Sequence, residues 1–296
     1  MNPVILSATG NVFAIVDGFR EAWPEKPAEA ARELCEADPR IHGLFLLAPP
    51  RRGGTCRSVL YNADGSRAEL SGNGLRCVAR FLHDQGHSSE ECMQVETDVG
   101  LRGVRILRRD GDNYEAEVDL GVPQVVAARK VLEVGKECVE ACHVVVGNPH
   151  LVIFFDEVRR APIKRLGRAL QNHPEFPRGI NIGFAAPAKN VIQLRTWERG
   201  VGETPACGTN AAAASVAALQ LGLVAGPVRV EMSGGVLGVD WARFGPVRVR
   251  GAVEVLTEES SPRDELQPRG SAAKTPASTS EAEPRTPEEP ASSSSS

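Results

Sequence analysis

The sequence has no surplus of positive charge, no long apolar run and no paired metal-type cysteines, and each absence removes a class of function. Lys and Arg number 34 against 38 Asp and Glu, a formal net charge of −4. Bulk electrostatics therefore give no reason to expect a nucleic-acid partner. No stretch reaches the roughly 18 consecutive apolar residues of a transmembrane helix, so no membrane partner is expected. Met1 to Gly10 lacks a charged region followed by an apolar one, so no signal peptide is expected and the chain reads as cytoplasmic. The seven cysteines are Cys35, Cys56, Cys77, Cys92, Cys138, Cys142 and Cys207. An odd count at scattered spacing fits reduced thiols rather than a disulfide framework. Cys138 and Cys142 lie close together, but no second pair completes a zinc-type spacing, so no metal site is expected.

What is present is enough apolar material for a core. Of the 296 residues, 42% are hydrophobic, sufficient for one large or two medium domains. From about Thr257 the composition changes to Ser, Pro, Glu, Ala and Thr, ending in five serines. Residues 257–296 read as a disordered tail, because they cannot bury enough apolar surface to offset their ordering entropy. Before it, Val12–Val16, Ile41–Leu47, Gly103–Leu107, Glu115–Leu120, His143–Val146, Leu151–Phe155, Val191–Thr196 and Val228–Met232 read as strands. Glu29–Ala37 and Ile163–Gln171 read as amphipathic helices. Leu75–Gln85 and Ala211–Leu221 read as helices that begin at Gly-rich turns.

An internal repeat organises these elements. Gly10-Asn11 and Gly147-Asn148 each precede an apolar run that ends in Asp, at an offset of 137. Arg32-Glu33-Leu34 before Pro39 matches Arg168-Ala169-Leu170 before Pro174. Ser71-Gly72-Asn73 matches Cys207-Gly208-Thr209 at an offset of 136, and Val95-Glu96-Thr97 matches Val230-Glu231-Met232 at 135. A nearly constant offset, held four times in order, implies two similar halves related by a pseudo-twofold axis. The halves are expected at 1–122 and 123–256, with the last strand, near 247–256, able to pair with the first half.

Duplication brings equivalent turns face to face. Glycines at a helix N-terminus let backbone N–H groups approach a ligand, and the helix dipole favours an anion. Two such ends converging would hold a carboxylate, flanked by Ser71 on one side and Cys207 on the other. Stereochemical inversion needs that layout, with one group removing a proton and the other returning one to the opposite face. A thiol suits the role because its reference pKa, about 8.5, falls at helix N-termini. The remaining six cysteines read as packing residues.

At these residues the sequence resembles the diaminopimelate epimerase family. The resemblance rests on Thr9-Gly10-Asn11, Tyr61-Asn62-Ala63-Asp64-Gly65-Ser66, Gly72-Asn73-Gly74-Leu75-Arg76-Cys77 and Val95-Glu96-Thr97 in the first half. In the second half it rests on Gly147-Asn148-Pro149-His150, Asn181, the run from Glu198-Arg199 to Thr204, and Ala206-Cys207-Gly208-Thr209. It covers about residues 4 to 256.

The family implies an α+β fold of two pseudo-symmetric halves, each a barrel-like sheet around a central helix. It implies interconversion of LL- and meso-diaminopimelate with no cofactor and no metal, acting on a small amino acid, with a homodimer one assembly open to it. By matching motif, Cys207 and Ser71 take the two catalytic positions. Asn11, Asn62, Asn148, Asn181, Glu198 and Arg199 would line the substrate, and Gly72, Asn73, Gly208 and Thr209 would present backbone N–H groups to its α-carboxylate. Arg199 and the asparagines suit the distal carboxylate, and Glu198 suits the ammonium.

The sequence departs from the pattern at named places. Ser71 stands where the family normally has its first catalytic cysteine, and Cys77 matches a different family position. Arg40-Ile41-His42-Gly43 lacks the usual Gly-x-Asp-Gly. Asn210 replaces a common glycine, and Ser233 stands where proline is frequent. Two other readings stay open: an epimerase of another amino acid on the same fold, and a binder that has lost inversion. A chain ending at Thr257 is expected to keep the thermal midpoint and activity of the full chain, which calorimetry and assay of both would check.

Overall fold

A computed structural model describes residues 2–111 and 113–256. The expected tail, 257–296, lies outside the described residues. The first half contains β1 (Val4–Ala8), β2 (Asn11–Val16), α1 (Pro27–Ala37), β3 (Ile41–Ala48), β4 (Cys56–Asn62), β5 (Arg67–Ala68), α2 (Gly72–Asp84), β6 (Cys92–Thr97), β7 (Gly100–Asp110) and β8 (Asn113–Asp119). The second contains β9 (Gln124–Val134), β10 (Glu137–Val146), β11 (Asn148–Phe154), α3 (Ile163–Gln171), β12 (Asn181–Ala188), β13 (Val191–Glu198), β14 (Gly202–Thr204), α4 (Gly208–Gln220), β15 (Val228–Met232), β16 (Gly235–Trp241) and β17 (Val247–Val255).

The pairings repeat as the sequence does. β2 runs parallel to β3, and β11 runs parallel to β12, across α1 and α3 respectively. β4 runs parallel to β6, and β13 to β15, across α2 and α4. In the first half β1, β2, β3, β4, β6, β7, β8 and β17 close into an eight-stranded ring. β17 also pairs with β16, so one strand serves both sheets.

Each sheet wraps a helix. α4 is buried from Gly208 to Ala218, and its sequence is nearly all small residues. Alanine has the best helix propensity and the smallest chiral side chain, so strands can approach that helix from every side. α2 is buried from Gly72 to Leu82 and carries two buried arginines. Arg80 donates to the Val253 carbonyl on β17 at 2.6 Å, and Arg76 donates to Thr9 Oγ1 at 2.8 Å. Burial pushes the Arg76 pKa down to about 10. α1 and α3 instead cover the outer faces with one apolar stripe each, Ala31 and Cys35 on α1 and Ile163, Leu166 and Leu170 on α3.

Each of the eight expected strands overlaps an observed one; β2, β3 and β15 match to within one residue, while β7, β10 and β11 begin three to six residues earlier than expected. Both inner helices begin three residues earlier than expected, at Gly72 and Gly208. The first turn of a helix donates no intrahelical N–H bond, so glycine and asparagine are tolerated there. β12 had no expectation because Gly183, Pro187 and three alanines give it a weak strand signal. It forms beside β11, where its residues are almost all buried. The packing reading holds for Cys35, Cys56, Cys77 and Cys142, which are buried, and fails for Cys92 and Cys138, which are exposed. Both lie at the beginning of a strand, before its residues turn inward.

Ala213→Leu adds three heavy atoms to a fully enclosed position on α4. Overpacking of this kind should cost about 1–3 kcal/mol, read as a lower urea midpoint with unchanged slope.

Candidate active site

Ser71 and Cys207 hold equivalent places. Each is the N-cap of its inner helix, and the backbone angles nearly coincide, φ −132° and ψ 113° at Ser71 against φ −146° and ψ 115° at Cys207. Ser71 Oγ accepts from the Gly74 N–H at 3.1 Å. At Cys207 the backbone N–H of Asn210, also three residues on, favours the thiolate.

The two helix ends meet. A Cβ placed on Gly208 would lie 3.0 Å from Asn73 Oδ1 and 3.7 Å from the Gly72 Cα. A side chain at 208 would require the Asn73 amide to shift. Asn73 Nδ2 donates to Asn11 Oδ1 at 2.6 Å, so Asn11, Gly72, Asn73 and Gly208 form one cluster. The segment leading into Ser71 also faces the second half. Leu70 lies against Gly147, and Glu69 pairs with Arg199 at 3.7 Å. Ser71 lines a cavity of about 10 Å³ with Phe45, Leu70, Leu75, Thr97 and Asp98, and Cys207 is not among its lining residues.

Around Cys207 the groups form a proton path. The thiol donates to Glu198 Oε2 at 3.2 Å, Thr204 Oγ1 donates to Glu198 Oε1 at 2.6 Å, and Thr209 Oγ1 lies 3.4 Å from the sulfur. Thr196 Oγ1 stands 2.8 Å from Thr204 Oγ1 behind them. The helix end was expected to lower the thiol pKa. The structure corrects this: burial, then the Glu198 charge, push Cys207 well above its ordinary value. Burial also raises Glu198, while its bonds from Thr204 and Cys207 oppose the rise. Both shifts favour the protonated forms, and the sulfur and the Glu198 carboxyl share one hydrogen bond. Glu198 contacts Cys207 and Thr204.

The other expected residues fall into separate groups. Asn181 Oδ1 accepts from the Arg199 backbone N–H at 3.0 Å, and its Nδ2 donates to the Pro149 carbonyl at 3.2 Å. Asn148 Oδ1 lies 2.7 Å from His150 Nε2. Asn62 Nδ2 donates to Ser66 Oγ at 3.0 Å within the turn after β4. Glu69, His150, Thr204 and Asn210 were not among the expected site residues. His150 and Thr204 lay inside the motifs, but their partners could not be read there. Among the described residues no cluster of His, Cys, Asp and Glu could hold a metal, and no helix is long and apolar enough to cross a membrane.

The fold class is two sheets, each wound round an inner helix, and the two helices start at a hydroxyl and a thiol. The fold matches a predicted epimerase from Pseudomonas aeruginosa with a TM-score of 0.67 at 19% identity, over 86% of this chain and 96% of that one. It matches a hydroxyproline epimerase from Agrobacterium vitis with a TM-score of 0.63 at 16% identity, over 86% and 90%. The family model for diaminopimelate epimerase matches residues 4–126 and 142–256. The diaminopimelate epimerase of Desulforudis audaxviator is 36% identical over 83% of this chain and 93% of its own. That of Stutzerimonas stutzeri is 40% identical over 72% and 81%. The chain belongs to the diaminopimelate epimerase family, a family of isomerases.

Glu198→Gln removes a charge that raises the thiol pKa and, with it, the acceptor for the thiol proton. The pH midpoint for alkylation of Cys207, followed by peptide mass spectrometry, should therefore move down. Any α-proton exchange should fall at the same time.

Proposed function

We propose that this chain interconverts LL- and meso-2,6-diaminopimelate, and that Cys207 and Ser71 act on opposite faces of the α-carbon. The observation that carries the reading is the meeting of the two helix N-termini at Gly208 and Asn73, with Ser71 and Cys207 at the two N-cap positions. The free N–H groups there suit the α-carboxylate. On this reading residues 1–122 and 123–256 are the two lobes that enclose the substrate. Arg199 exchanges its Glu69 partner for the distal carboxylate, supported by Asn62, Asn148 and Asn181. Location in the cytoplasm and assembly as a homodimer accompany the same reading.

The proton steps follow from the contacts. Cys207 passes its proton to Glu198, and the thiolate takes the α-proton of the LL-substrate. The electron pair left on carbon is delocalised into the carboxylate, which the helix ends stabilise. Ser71 Oγ gives a proton to the opposite face and recovers one from water, and the hydroxide so formed takes the proton that Glu198 holds, which restores the starting state. A serine hydroxyl is far too weak an acid to rest ionised at neutral pH, so the reverse abstraction by Ser71 is the difficult direction.

In deuterated water, LL-diaminopimelate should take up α-deuterium faster than it inverts, because Cys207 can return a solvent-derived proton to the face it came from. The meso isomer should exchange slowly at its D-centre. Ser71→Cys should raise turnover from meso, and Cys207→Ala should abolish exchange from both. Equal turnover in the two directions, with no gain in Ser71→Cys, would overturn these assignments. Binding without any exchange would leave a protein that only holds the substrate.

A further inference from the structure

Behind Asn148 lies a buried polar chain that the proton steps do not use. His150, on β11, is fully buried between two side-chain amides. Its Nε2 lies 2.7 Å from Asn148 Oδ1, and its Nδ1 lies 3.0 Å from Asn210 Oδ1. Asn210 is fully buried in the first turn of α4, two residues after Gly208. Asn148 is half-buried, and the preceding Gly147 touches Leu70 beside Ser71.

We propose that Asn210 is a positioning residue which, by fixing the tautomer of His150, decides that Asn148 offers its amide NH₂ rather than its oxygen to the ligand. The chemical class recognised by that NH₂ is a carboxylate. The proposal rests on the epimerase reading only for the identity of the ligand.

Burial pushes the His150 pKa down to about 4, helped by His143 and Arg199 and opposed by the Asn210 contact. The ring is therefore neutral and carries one N–H. It cannot donate to two amide oxygens, so one of the two amides must turn its nitrogen to the ring. Amide oxygen and nitrogen exchange places by a simple rotation. Asn210 Nδ2 is buried with no partner as it stands. An orphaned buried N–H is rarer and costlier than an under-used carbonyl. Turning Asn210 lets Nδ2 donate to His150 Nδ1 and removes both faults together. His150 then carries its proton on Nε2 and donates to Asn148 Oδ1. The Asn148 oxygen is occupied, and its NH₂ is the end left for a ligand. The opposite tautomer would reverse Asn148 and offer an acceptor, suited to an ammonium.

The test begins with the unmodified full chain, labelled with ¹⁵N, in long-range ring correlation spectra at neutral pH. The expected spectrum shows the His150 ring, identified by its loss in His150→Gln, unchanged in mild acid, with its proton on Nε2 and a bare Nδ1. A proton on Nδ1, or a doubly protonated ring, overturns the proposal. Asn210→Gly should mix the two tautomers of that ring and raise KM for meso-diaminopimelate more than it lowers kcat. A single Nε2–H tautomer with unchanged KM in that variant overturns the role of Asn210. Asn148→Asp puts an acceptor where the donor is needed, and calorimetric titration should show roughly tenfold or greater weakening of meso-diaminopimelate binding. Unchanged or tighter binding would show that Asn148 meets an ammonium. Should Asn210→Gly fail to fold by its melting curve, the unmodified spectrum and Asn148→Asp decide the matter. Absence of α-proton exchange in the unmodified protein would defeat the epimerase reading while leaving the spectrum to judge His150.

Discussion

The structure depends on two helix ends meeting with no side chain between them. Gly208 comes so near Asn73 that an added Cβ would sit 3.0 Å from its amide oxygen. Because the ends are that close, two sets of free N–H groups share one location, and two N-cap side chains flank it. The wrapping of each helix by a sheet follows from the same demand. An α-helix whose whole surface is buried holds its N-terminus more firmly than one lying on a surface. β17 reinforces this by pairing with β8, β1 and β16, which ties the two sheets together where they adjoin.

Burial of these ends changes the acid–base chemistry. A helix N-terminus alone would favour a thiolate at Cys207. The balance of causes runs the other way, because loss of solvent and the adjacent Glu198 both favour the thiol. The site stores the proton within a hydrogen bond instead of dispersing it to water. The same loss of solvent keeps His150 neutral, so a ring that would titrate near neutrality in water becomes a fixed donor–acceptor element. At Ser71 no comparable base among the described residues is hydrogen-bonded to the side chain, whose contact is with the Gly74 N–H. The two half-sites are alike in backbone and unlike in chemistry.

Much of the fold was legible because local pattern and repeat agreed. Alternating apolar residues marked the strands, and the constant offset marked the duplication. β9 and β12 were not legible, since edge exposure in one and small residues in the other blur the alternation that identifies a strand. In the site, the turns at Ser71 and Cys207 could be singled out because their spacing repeated. The pairing of Arg199 with Glu69 and of His150 with Asn210 could not, since each joins residues far apart in sequence and neither has a periodic signature.

The amino-acid sequence by itself determined the element order, the two-fold repeat and the residue types at the two helix starts. These are set by propensity, periodicity and the conformational freedom of glycine, which act over a few residues. Only the tertiary structure decided the protonation of Cys207, the partner of Glu198 and the neutrality of His150. Those depend on how much water is excluded and which charges lie within a few ångströms, and both are properties of the packed whole.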